Sequence, residues 1–96
     1  MSPYNKKKLN LLRKKLDKLD LQLLKLVKTR TELIKKVLKL KTFKSEIVDK
    51  SRIKIILNKI RKESIKKKID PKITKRIWKN MIWSYIDYER RNIDKK

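Results

Sequence analysis

The sequence predicts an all-α protein with three helices per protomer, one long at the N-terminus and two shorter, assembled as a homodimer. Three observations carry this. The chain has no Gly and two Pro, which leaves little from which to build strands and tight turns. A stripe advancing by alternating steps of three and four, apolar at every position but one, runs over residues 9–40, the mark of one amphipathic helix with a packing seam. The dipeptide Asp70–Pro71 is a helix start, with Asp70 as N-cap and Pro71 at the first helical position.

The long helix comes first. Its stripe is Leu9, Leu12, Leu16, Leu19, Leu23, Leu26, Arg30, Leu33, Val37 and Leu40, and every position but Arg30 is apolar. At about 1.5 Å per residue such a helix spans roughly 50 Å. A compact chain of this size has a radius of gyration of only about 12–13 Å. The helix must therefore project beyond its own protomer, and a partner chain laid on the seam would cover it.

"TFKSEIV" then reads as a short connection. A second helix opens at Asp49, a good N-cap residue, with Ile53, Ile56, Leu57 and Ile60 as its buried stripe. "ESIKKKI" loses the pattern. The third helix, from Asp70–Pro71, is expected to bury Ile73, Ile77, Trp78, Met81, Ile82, Tyr85 and Ile86 before it frays into "RRNIDKK". No repeat and no linker divides the chain, so residues 1–96 form one domain.

Composition excludes several chemistries. With no Cys and no His, a disulfide framework, a thiolate or imidazole metal site, and a Ser-His or Cys-His mechanism are all ruled out. Neither a metal nor a cofactor is expected. The start, "MSPYNKKKLN", lacks the apolar core of a signal peptide, and no apolar run is long enough to span a bilayer. A cytoplasmic location is expected. The 32 Lys+Arg against 10 Asp+Glu give a net charge of +22, mostly lysine spread along the whole chain. That is read first as a solvated surface and second as a polyanion site; either way it steers anions inward.

A few cations stand apart from the generic lysines. Arg30 occupies the seam, and Lys41, eleven residues on, falls within about 20° of the same bearing. Arg13 starts a heptad row through Asp20, Val27 and Ile34 to Lys41, but lies about 25 Å along the axis from Arg30. One small ligand reaches both only if Arg13 comes from an antiparallel partner. On the third helix Glu89 shares the buried bearing of Trp78 and Ile82, one turn beyond Tyr85. On the second, Arg52 borders the apolar stripe, and Asp49 has a competing task as N-cap. Arg13, Arg30, Lys41 and Arg52 outnumber Asp49 and Glu89, and buried guanidinium groups need counter-charge. A dianionic ligand would supply it, gripped by arginine in its bidentate mode. The alternative is a structural ion network of Arg30 with Asp20, Glu32 or Glu63.

Taken together, "LRKKLDKLD" at 12–20, Arg30, Lys41, "DKSR" at 49–52 and "IWKNMIWSYIDYE" at 77–89 resemble the all-helical chorismate mutase family from about Leu12 to Glu89. The resemblance implies conversion of chorismate to prephenate, on the way to phenylalanine and tyrosine, in an interlocked dimer with two sites and no cofactor. The reaction is a unimolecular Claisen rearrangement that needs its two carboxylates clamped so that the enolpyruvyl arm folds over the ring. It also needs donors aimed at the ether oxygen, where charge develops. By resemblance, Arg30 and Arg13 of the partner subunit grip carboxylates with Arg52 beside them, and Lys41 serves both a carboxylate and the ether oxygen. Glu89 stands where many relatives carry Gln, so it must be protonated to donate. Its apolar neighbours favour the neutral acid, while Lys41 and the arginines favour the carboxylate.

One departure concerns substrate choice. Relatives often carry Glu directly after the Arg of the second helix, accepting from the substrate's ring hydroxyl; here the residue is Ile53. The runner-up on the same fold is an isochorismate pyruvate lyase. The rival class is a basic helical nucleic-acid-binding protein, relying on counterion release. It is disfavoured because such a protein has no use for cations inside an apolar seam.

Overall fold

A computed structural model describes residues 1–94. Helix α1 spans Pro3–Leu40, α2 Lys50–Lys66 and α3 Pro71–Asn92, with a single 3₁₀ turn at Lys44–Glu46 and no strand among the described residues. The all-helical, three-helix expectation holds. The chain divides into two compact units, Met1–Leu33 and a second that begins at Ile34.

In the first unit, α1 starts six residues before the apolar stripe does. Ser2 caps it: its Oγ accepts from the Asn5 N–H at 3.1 Å and its carbonyl from the Lys6 N–H at 2.9 Å. Pro3 fills the first helical position, where a missing N–H costs nothing. One turn in, the Lys8 ammonium sits 4.8 Å from the centre of the Tyr4 ring, a cation–π contact. The stripe itself is open: Leu12, Leu16, Leu19, Leu23 and Leu26 are each between 52 % and 66 % exposed.

The second unit is built on α2 and α3. Residues early in α2 meet residues late in α3, and Ser64, late in α2, meets Thr74, early in α3. The pair is therefore antiparallel. At one end lies the core of Ile47, Ile82 and Ile86, flanked by Val48, Ile53, Ile56, Leu57 and Ile93. At the other, the buried Ser64 hydroxyl donates to the Ile60 carbonyl at 2.6 Å and lies 2.7 Å from the Thr74 hydroxyl. Each hydroxyl gives the other a partner, so neither is buried unsatisfied.

Both start signals act as read. Asp49 caps α2 by accepting from the Arg52 N–H at 3.0 Å, and Asp70 caps α3 by accepting from the Lys72 N–H at 2.9 Å. Two readings gain detail, and one, the burial of Ile73 and Ile77, needs correction. α2 ends at Lys66, within the "ESIKKKI" segment where the apolar pattern is lost; the pattern breaks there because the buried position is a hydroxyl, Ser64. Ile73 and Ile77 are 55 % and 51 % exposed, since at 100° per residue they lie about 140–180° around α3 from Ile82. The connection after α1 is short, as read, and carries a core residue: Ile47 within it is only 4 % exposed.

Between α2 and α3, the N–H groups of Lys67, Lys68 and Ile69 donate to the carbonyls of Glu63, Ile65 and Ser64. Lys68 takes φ of 58°, the left-handed conformation that usually closes a helix with Gly or Asn.

Candidate active site

Lys41 and Glu89 meet in the second unit. Lys41 follows the last residue of α1, and its N–H closes a final turn onto the Leu38 carbonyl at 3.1 Å. Glu89 stands near the end of α3, on the same bearing as Ile82, and is 4 % exposed. The Lys41 ammonium donates to both carboxylate oxygens, Oε1 at 3.0 Å and Oε2 at 3.1 Å, and the two side chains are only 17 % and 5 % exposed. A carboxylate this deep is tolerated because a cation satisfies both its oxygens. An ammonium carries three N–H donors, so two are engaged by Glu89 and one is left for a ligand.

Lys41 also borders an open concavity of about 660 Å³, whose wall includes Ser45, Glu46, Asp49 and Ser51. Asp49 has one oxygen committed to capping α2, which leaves the other for a hydroxyl. Arg52 lies in the first turn of α2 with its side chain exposed. Ile53, next to it, is half-buried against the Ile47–Ile82–Ile86 cluster and offers no acceptor. Tyr85 is half-buried on α3, one turn before Glu89. Arg13 and Arg30 belong to the first unit, Arg13 exposed and Arg30 half-buried amid exposed leucines.

Of the acids weighed as structural partners for Arg30, Glu63 is engaged by its own helix end, 4.0 Å from Lys66 and 3.5 Å from Lys67. Among the described residues no group of three acidic side chains comes together in a way that could hold a metal ion.

Glu46 went unread in the sequence. Its Oε1 accepts from the N–H of Thr42 at 3.1 Å and of Phe43 at 2.9 Å, directly after Lys41. The available signal was faint: an acid three residues after the start of a turn, the spacing of a capping box.

No curated protein and no solved structure matches the chain. The family model described as chorismate mutase type II matches residues 12–90, a span that begins just before Arg13 and ends just after Glu89. An all-helical chain carrying that match over most of its length belongs to the chorismate mutase type II family, whose members are isomerases acting on chorismate.

Proposed function

We propose that this protein rearranges chorismate to prephenate in a cytoplasmic homodimer with two sites, each completed by Arg13 of the partner subunit. The observation that carries the reading is the buried Lys41–Glu89 pair at 3.0 and 3.1 Å, open on one side to a concavity. The rearrangement breaks a C–O bond and forms a C–C bond within one molecule, so the protein has no bond to make. Its task is to hold the folded conformer and to favour the charge that builds on the ether oxygen.

Lys41 uses its remaining N–H toward a substrate carboxylate or the ether oxygen. Arg30 and Arg13 of the partner subunit clamp carboxylates, with Arg52 at the rim of α2. Glu89 donates to the ether oxygen from its protonated form. The dimer is supported by the half-exposed leucines of α1: covering each would contribute roughly 1 kcal/mol.

A second reading on the same fold rests on Ile53. With its side chain against the core, the position that would meet a ring hydroxyl has no acceptor, leaving Asp49 or a backbone group to take that role. A pyruvate lyase acting on isochorismate places its hydroxyl elsewhere on the ring. Incubation of the purified protein with chorismate and, separately, with isochorismate decides the matter. Prephenate from chorismate supports the mutase, pyruvate and salicylate from isochorismate alone support the lyase, and no turnover of either sinks both.

A further inference from the structure

We infer that Glu46 is a positioning residue for Lys41, acting through the backbone that follows it. This deepens the reading of the site given above and rests on it. Lys41 is the first residue beyond α1, so no helical hydrogen bond fixes the direction of the chain after it. The next two N–H groups, of Thr42 and Phe43, converge on a single oxygen, Glu46 Oε1, at 3.1 and 2.9 Å. The Glu46 N–H in turn donates to the Phe43 carbonyl at 3.1 Å. One carboxylate oxygen thereby closes residues 42–46 into a ring.

Beyond the ring the chain enters Ile47, 4 % exposed in the core with Ile82 and Ile86. The segment that carries Lys41 thus has two anchors, the end of α1 and Ile47, and Glu46 fixes the path between them. The ammonium must reach both oxygens of a buried carboxylate and still present its third N–H, so a small shift of its backbone misdirects that donor.

Charge and geometry pull in opposite directions at this residue. Glu46 borders the same concavity as Lys41, where a carboxylate repels a dianionic substrate. A benefit of Glu46 to turnover therefore comes from reach and hydrogen bonding, not from its negative charge.

Three variants separate the two. Glu46→Gln keeps an oxygen at the same reach without the charge, Glu46→Asp keeps the charge at shorter reach, and Glu46→Ala removes both. Steady-state kinetics with chorismate, alongside thermal unfolding of the full chain, should show kcat lowered about tenfold in the Ala and Asp variants, the scale of a sub-ångström misplacement. The Gln variant should recover most of that kcat, with a KM no higher than that of the wild type. A kcat for Glu46→Ala within twofold of wild type overturns the inference, as does a Gln variant as impaired as the Ala variant. Should Glu46→Ala fail to fold, equal kcat in the Gln and Asp variants overturns it instead. An active wild type with an indifferent Glu46→Ala removes only the role of Glu46. A wild type that leaves chorismate unchanged removes the reading of the site and this inference with it.

Discussion

Lys41 and Glu89 hold opposite charges where neither is stable alone. Removing the cation leaves a carboxylate whose side chain is 5 % exposed without its partner. Lys41→Met should destabilise the protein by about 2–3 kcal/mol near neutral pH, measured by urea denaturation. Adding Glu89→Gln to that variant should recover most of the stability, a coupling that the double-mutant cycle reads directly. A second prediction concerns turnover. If Glu89 serves by donating to the ether oxygen, Glu89→Gln, whose amide always carries N–H donors, should turn chorismate over at least as fast as the wild type. Glu89→Leu keeps much of the volume without a donor and should lose most of kcat in steady-state assays; a Leu variant as active as the Gln variant would sink the idea. Glu89 was legible in the sequence because its bearing coincides with Trp78 and Ile82. Glu46 was not, because its partners are backbone amides, and the only trace they leave in the sequence is the faint spacing of a capping box.

Helix starts were legible and helix ends less so, for a physical reason. Asp49, Asp70 and Pro71 announce themselves because a cap needs a particular side chain at a particular place. The start of α1 followed the same chemistry at Ser2–Pro3, but it lies upstream of the apolar stripe that directs the eye. The end of α2 was obscured because the α2–α3 contact changes from isoleucine to hydroxyl at Ser64 and Thr74, and periodicity of apolar residues cannot see a hydrogen-bonded contact. The chain then turns at Lys68 with φ of 58°, where a Cβ is strained and Gly is the usual solution. Lys68→Gly should therefore stabilise the protein by about 0.5–1 kcal/mol. Chemical denaturation checks this, and a loss of stability would show that Lys68 makes contacts worth more than the strain.

At the scale of the whole molecule, the sequence poses a question of partners. A 38-residue helix, Pro3–Leu40, carries a leucine seam that remains half-exposed in a single chain, while the core of the second unit is three isoleucines and their neighbours. Three buried apolar residues make a small core, so a second copy on the seam would supply both burial and the missing arginine. Those two roles can be told apart. Arg13→Ala and Arg30→Ala should each abolish most activity in a homodimer, since every site then lacks one clamp. In a heterodimer of the two variants, the chain carrying Arg13→Ala keeps its own Arg30 and receives Arg13 of the partner subunit, so one site is whole. The other site loses both residues. Random reassortment makes half the dimers mixed, each with one intact site, so mixing the two inactive variants should restore about a quarter of wild-type activity. If Arg13 served its own chain, neither site of the heterodimer would be whole and mixing would restore nothing. Activity that reappears on exchange, and does so only under conditions that let the dimers exchange, would establish that a site is shared between chains.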